Sequence, residues 1–181
     1  QVVQDSVPAR RFVLNQVPSP ADVYNEIADG YRNVRRSNGC YPFVNATLSD
    51  LIGDPAGLDA IDLATGEGTG ARHLKRNGAR SVLGLDMSRE MIRLARNAEG
   101  HEPLGVDYVV ADVTRFQSER TFDLATAGFL LNYASSRAQL RALCAAARRL
   151  LKPGARFVGV NCSMFDETYG YDDRVDIGRR M

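Results

Sequence analysis

Residues 59–87 read DAIDLATGEGTGARHLKRNGARSVLGLDM, and this stretch decides the fold. A short apolar run, Ala60 to Ala64, ends in a turn carrying Gly66, Gly68 and Gly70. An amphipathic segment follows, and a second apolar run, Ser81 to Leu85, stops at Asp86. Strand, glycine turn, helix and strand, with an acid about 20 residues after the first glycine, is the plan of a nucleotide-type site in a doubly wound α/β sheet. Glycine lets the backbone approach a ligand without interference from a Cβ, and the start of the next helix presents unpaired N–H groups. An acid at the end of the second strand can accept both hydroxyls of a ribose. The pattern implies an adenosine-containing cofactor.

Gly66, Gly68 and Ala71 also satisfy the loose dinucleotide spacing G-x-G-x-x-G/A, and Asp62 separates the two readings. Set in the strand end just before the turn, its charge would repel a pyrophosphate. A cationic amino group or sulfonium beside it would be stabilised. S-adenosylmethionine (SAM) has those properties: a ribose for Asp86, no phosphate, and positive charge for Asp62. The run Asp62-Leu-Ala64-Thr65-Gly66-Glu-Gly68-Thr-Gly70 resembles the first motif of the class I SAM-dependent methyltransferases, an acid followed by x-Gly-x-Gly-x-Gly. Ala64 stands where that motif has its first glycine, a replacement that a small residue tolerates where the local φ is negative.

The resemblance extends from about Val23 to Val160 and implies a Rossmann-like, mostly parallel doubly wound α/β sheet. Ahead of the first strand, Val23, Tyr24, Ile27, Ala28 and Tyr31 recur at helical spacing after the start signal Ser19-Pro20-Ala21-Asp22. Two readings of this stripe stand, a core-facing face or a cofactor lid formed by Tyr24 and Tyr31. Tyr-x-x-Ile-Ala-x-x-Tyr is similar to the N-terminal motif of many small-molecule methyltransferases. Arg32 to Tyr41 is polar, with a turn signal at Asn38-Gly39. Phe43 to Ile52 reads as a second helix with Phe43, Val44, Leu48, Leu51 and Ile52 on one side.

Past the glycine turn, Ala71 to Asn77 reads as a short helix stopped by Gly78, and Ser88 caps a helix over Arg89 to Ala98. The resemblance places Met87 against the adenine ring; simple apolar packing is the other reading. A third strand, Asp107 to Ala111, ends at Asp112-Val113. At the carboxyl end of a central strand, Asp112 can accept from the adenine amino group while the Val113 N–H donates to a ring nitrogen; Asp112 can also serve only to cap the next turn. A fourth strand, Phe122 to Gly128, leads into Phe129-Leu-Leu-Asn132-Tyr133. The family holds the methionine part of SAM here and begins its acceptor pocket, so Phe129, Asn132 and Tyr133 are candidates near the methyl group. The alternative makes Phe129 and Tyr133 core aromatics and Asn132 a helix cap. Ser136 to Leu151 is an amphipathic helix, and Lys152-Pro153-Gly154 turns into a fifth strand, Arg156 to Val160.

The domain reading is a flexible arm over 1–20, N-terminal helices forming a lid over 21–58, a SAM-binding core over 59–160, and an incomplete tail over 161–181. The family adds a helix and two strands after strand five, roughly 25 to 40 residues at typical element lengths. Their lack here, like the start at Gln1, suggests a truncated chain or an edge covered by another chain or by a rearranged tail, and strand five would offer an edge for homo-oligomerisation.

Composition narrows the classes. A formal net charge of +1 and 25% charged residues give no electrostatic reason to expect nucleic acid or membrane partners. Cys40, Cys144 and Cys162 are odd in number and widely spaced, with no zinc or disulfide framework. His73 and His101 sit beside charged neighbours and read as surface residues, so no metal is expected. No run approaches the roughly 18 apolar residues of a membrane span, and a reducing cytoplasm fits best.

The implied reaction is methyl transfer from SAM to nitrogen, oxygen or carbon of a small-molecule acceptor, with S-adenosylhomocysteine (SAH) as product. Asp-Leu-Ala-x-Gly-Glu-Gly together with Leu-Leu-Asn-Tyr-Ala looks closest to bacterial secondary-metabolism enzymes. No catalytic base is identified. A nicotinamide-dependent oxidoreductase would use the glycine turn and Asp86 but gives Asp62, Asp112 and the Lys-Pro-Gly turn no role. A non-catalytic SAM-binding protein is the other alternative.

Overall fold

A computed structural model describes residues 19–37 and 40–161, with side chains left out over 29–41. Residues 1–18 of the expected arm over 1–20, and 162–181 of the expected tail over 161–181, lie outside the described residues. Five strands form one sheet: β1 Asp59–Leu63, β2 Ser81–Asp86, β3 Val106–Val110, β4 Phe122–Gly128 and β5 Leu151–Val160. Their order is β3-β2-β1-β4-β5, and every pairing is parallel. The order reverses between β1 and β4. That is the switch point at which open α/β sheets bind ligands, beyond the carboxyl ends of the strands.

Alternation along the strands divides two cores between the two faces of the sheet. On one face Ile61, Leu63, Leu83, Leu85, Ala125 and Ala127 pack with Ala146, Ala147 and Leu150 of helix α5, Arg137–Leu150. On the other, Ala60, Val82, Val106, Tyr108 and Leu124 pack against α3, Thr69–Arg76, and α4, Arg89–His101. Ser88 and Ser136 cap α4 and α5 by accepting from the Met91 and Gln139 N–H groups.

The first two helices differ in extent from the sequence reading. Helix α1 spans Pro20–Ser37 and α2 spans Cys40–Ile52, so the polar stretch expected as a loop is mostly helical. A reciprocal Ser19–Asp22 capping box starts α1: Ser19 Oγ accepts from the Asp22 N–H at 3.3 Å, and Asp22 Oδ2 accepts from the Ser19 N–H at 3.1 Å. Ala28 packs α1 on Met91 and Leu94 of α4, with Tyr24 against them. Among the described residues of α2, Ile52 is buried and Leu48 packs beside it in the core on the α3 and α4 side of the sheet, whereas Phe43 and Leu51 are 76% and 51% exposed, so the expected apolar face is packed only in part. Arg156 of β5 also holds the end of α2: it donates to the Ile52 and Leu51 carbonyls at 2.6 and 3.3 Å and satisfies two orphan acceptors at the helix end.

Strand β5 also starts earlier than expected. Leu151 already pairs with Phe122, while Arg156 pairs with Leu124. The chain between them carries Lys152-Pro153-Gly154, with Gly154 at φ +79°, so the predicted turn is a bulge inside the strand. At the opposite end of the sheet from the switch point, Asp59 pairs with Arg80 and Asp123 accepts from Lys152 at 2.7 Å.

Candidate functional site

Four strand ends surround the crevice at the switch point, and Asp62 lies beneath it. It shares a register row with Gly84 and Thr126 and is only 4% exposed. Asp62 Oδ2 accepts from Thr65 Oγ1 at 2.7 Å, and Oδ1 accepts from Thr126 Oγ1 at 2.7 Å. The Ala71 N–H, in the first turn of α3, donates to the same carboxylate. Helix α3 has no capping side chain of its own; Asp62 supplies one from the neighbouring strand. Gly70 permits this approach, since a Cβ there would lie 2.9 Å from Asp62 Oδ2. The negative group that a helix start attracts is therefore already part of the protein.

Asp86, 9% exposed, closes β2. Its Oδ2 accepts from the Gly66 N–H at 2.8 Å and its Oδ1 from the Ser88 N–H at 2.9 Å. The two bonds aim the carboxylate at the glycine turn. Burial pushes both Asp62 and Asp86 above the ordinary carboxylate range. The hydroxyl and amide donors pull each back, and the charge of Asp86 adds to the rise at Asp62.

The turn itself is left-handed at three positions, Ala64, Gly66 and Gly68, the last with φ +85°. Gly66 has φ +56°, and a Cβ on it would meet nothing within 4 Å, so this backbone borders open space. Ala64 has φ +58°. The negative φ at which a small residue is readily tolerated here is not adopted: the turn keeps the geometry of a glycine and imposes it on an L-residue. A left-handed alanine costs roughly 1–2 kcal/mol, partly offset because glycine loses more backbone entropy on folding. Ala64→Gly should raise unfolding stability by about 0.5–1 kcal/mol, read as a higher urea midpoint at unchanged slope.

Around this centre the other candidates take distinct places. Thr65 is buried and spends its hydroxyl on Asp62. Met87, next to Asp86, is 39% exposed rather than packed in the core. Asp112 caps the following turn through Oδ1, which accepts from Thr114 N–H and Oγ1 at 2.8 and 2.7 Å. Its Oδ2 lies 3.9 Å from Arg115 Nε. The Val113 side chain is buried in the core, which leaves only its backbone for a ligand.

Phe129, after β4, has φ +65° and donates its N–H to the Val160 carbonyl at 2.7 Å. A bulky residue held in this region marks a locally strained strand end. Asn132 lies within the 3₁₀ turn Leu130–Tyr133. The cap of α5 is Ser136, not Asn132.

Tyr24 and Tyr133 are brought together across the crevice. Their hydroxyls are hydrogen-bonded, and the rings meet edge to face with centroids 6.0 Å apart at 72°. Helix α1 therefore reaches the end of β4. Tyr31 falls in the backbone of α1, but its side chain lies outside the described residues.

Three participants escaped the sequence reading. Thr126 is one polar residue in an otherwise apolar strand, and only the β1–β4 register ties it to Asp62. Gly70 was visible as a glycine, but not as the space that Asp62 needs. Asn25 lies beside Tyr24, yet its Oδ1 accepts from Ser88 Oγ at 2.8 Å. No sequence signal pairs those two residues. Among the described residues, no cluster of His, Cys, Asp and Glu can hold a metal ion, and no helix is long and apolar enough to cross a membrane.

A family model described as a methyltransferase domain matches residues 60–154. An S-adenosylmethionine-dependent methyltransferase from Mesorhizobium loti is 31% identical over 68% of this chain and 54% of its own, with a TM-score of 0.54. DhpI, solved in complex with SAH, is 27% identical over 76% of this chain and 66% of its own, with a TM-score of 0.62. The [4+2]-cyclase SpnF, 18% identical over 80% of this chain and 61% of its own, shares the fold with a TM-score of 0.66. No curated protein matches the sequence. The chain spans about half the length of the Mesorhizobium loti protein. The match from β1 to the Lys-Pro-Gly bulge covers just over half of the sequence, and the chain belongs to the methyltransferase domain family.

Proposed function

We propose that this chain is the cofactor-binding part of a SAM-dependent methyltransferase with a small-molecule acceptor. The observation that carries the reading is the place of Asp62. An internal carboxylate occupies the anion position at the start of α3, so a pyrophosphate would meet a buried negative charge instead of free N–H groups. A ligand with a ribose, an adenine and a positive charge, and no phosphate, suits the same crevice. This weighs against a nicotinamide dinucleotide.

The residues fit such a cofactor. Asp86 would accept from the ribose hydroxyls, with Gly66 and its neighbours Ala64 and Thr65 as the turn beneath. Met87 would cover the adenine ring, and Asp112 with the Val113 backbone would meet its edge. Phe129 would border the methionine part. Asp62, with both oxygens engaged, would act through its charge and by holding the turn. Tyr24, and Tyr31 on the same helix, would close the site from above, with Asn132 and Tyr133 toward the acceptor. The chemistry that SAM supplies when bound is a methyl group already activated by its sulfonium. Proximity and orientation are then the protein's main tasks, effects that contribute up to about 7–11 kcal/mol.

The acceptor reading is supported by the Tyr24–Tyr133 contact, which brings helix α1 across to the turn after β4. The division into lid helices over 21–58 and core over 59–160, a cytoplasmic setting, absence of nucleic acid partners and pairing of copies through an outer strand complete the proposal. The activity test is transfer of labelled methyl from SAM to a panel of small amines, phenols and carbon acids, using the full-length protein. Transfer to at least one member is expected. Binding of SAH with no transfer to small molecules, peptides or nucleic acids would favour a SAM-binding protein that does not methylate, and SpnF shows that this fold also serves a cyclase.

A further inference from the structure

Asn25 is bonded to the ligand end of β2 rather than to its own helix. Its Oδ1 accepts from Ser88 Oγ at 2.8 Å and from the Glu90 N–H at 3.2 Å. Ser88 is fully buried; its N–H donates to Asp86 Oδ1 at 2.9 Å, and its Oγ accepts from the Met91 N–H at 3.1 Å. One connected set of bonds thus runs from α1 to the carboxylate at the end of β2. The residue before, Tyr24, bonds Tyr133 at the end of β4. Consecutive residues of α1 reach both walls of the crevice.

We propose that Asn25 is a positioning residue that latches α1 over the cofactor site and couples the seating of that helix to Asp86 through Ser88. The coupling rests on the cofactor reading given above. The local chemistry explains why a carboxamide is used. Glu90 is the second residue of α4, so its N–H has no acceptor within the helix. Ser88 Oγ satisfies the third residue, Met91, and Asn25 brings the acceptor for the second from another helix. If α1 lifts, the Glu90 N–H and the buried Ser88 hydroxyl both lose a partner, and the frame around Asp86 loosens. Reciprocity of linked equilibria requires the converse: a ligand that fixes Asp86 and Ser88 also favours α1 in place. Ala28 and Tyr24 also pack α1 on Met91 and Leu94 of α4; the bonds through Asn25 and Ser88 are what tie that seat to Asp86.

The test uses the full chain and three variants: Asn25→Ala, Asn25→Asp, which keeps an acceptor, and Glu26→Ala as an exposed neighbour. Asn25→Ala is expected to speed SAH dissociation about tenfold in stopped flow, the scale of losing a partner for a buried donor. It should also speed amide exchange over residues 20–28 by a similar factor, with little change at the core strands. Asn25→Asp should restore most of both, and Glu26→Ala should change neither. A double cycle with Ser88→Ala should be non-additive. Unchanged dissociation together with unchanged exchange over 20–28 in Asn25→Ala overturns the proposal. Failure of the unmutated chain to bind SAH counts against the cofactor reading instead, and exchange over 20–28 then decides the latch by itself.

Discussion

Replacing Asp86 by alanine is expected to weaken SAH binding about a hundredfold or more, while the protein stays folded. The carboxylate is the one acidic group at the end of β2, and its two oxygens are pinned by the Gly66 and Ser88 N–H groups. Each pinned oxygen keeps a lone pair for a ribose hydroxyl. Two hydrogen bonds to a charged acceptor contribute about 1.5–3 kcal/mol each, and a hundredfold is about 2.7 kcal/mol. Some compensation comes from the unbound state, because burial raises Asp86 above the ordinary carboxylate range and ionising it costs the empty protein free energy. Calorimetric titration of Asp86→Ala beside the unmutated chain measures the difference. Asp86→Asn should fall between them, since an amide retains one acceptor but offers N–H toward donors.

Asp62→Ala should act mainly on stability, with a loss of about 3 kcal/mol or more. It strips the acceptor from Thr65 Oγ1, Thr126 Oγ1 and the Ala71 N–H, and each buried donor left alone costs about 1–3 kcal/mol. For a domain of this size that corresponds to a fall in Tm of about 6–12 °C. Asp62→Asn should cost much less, because the amide oxygen still accepts and a hydroxyl can turn to accept from the amide nitrogen. The sign of the pH dependence separates charge from geometry. With its pKa raised by burial, Asp62 contributes stability that is complete below the ordinary carboxylate range and is lost as pH rises through its raised value. Asp59 and Asp123, lowered by Arg80 and Lys152, act in the opposite direction, losing their contribution as pH falls. Asp62→Asn should therefore narrow its deficit, or gain on the unmutated chain, as pH rises toward neutrality, as urea unfolding at several pH values would record.

The core of the fold was legible because period and punctuation coincide in it. Apolar runs closing at or near Asp62, Asp86 and Asp112 announce the carboxyl ends of three strands, serines cap the starts of α4 and α5, and a glycine follows the end of α3. All five expected strands are present, although β5 begins five residues earlier than the pattern places it. The N-terminal helices were harder to read. The polar run from Arg32 has no apolar period, and α2 is held in part by one arginine, Arg156, distant in sequence. The bulge in β5 was read as a turn because proline and glycine signal both, and only the pairing with β4 distinguishes them.

At the site, sequence gave residue types in the right places but not their bonding. Asp62 was recognised by the charge it carries; that it serves as the cap of α3 depends on how closely Gly70 approaches. Ala64 shows the limit most directly. Its small size suggested an ordinary backbone, whereas the hydrogen bond from the Thr65 N–H to the Leu85 carbonyl at 2.8 Å and that from the Gly66 N–H to Asp86 hold the turn in a left-handed form. The surrounding bonds, not the residue, set φ.

The most direct measurement is calorimetric titration of the purified chain with SAH and with NAD at matched concentrations. The account predicts micromolar binding of SAH and none of NAD, because Asp62 already fills the anion position at the start of α3. Binding of NAD at comparable affinity, or no binding of SAH by a chain that unfolds cooperatively, would contradict it.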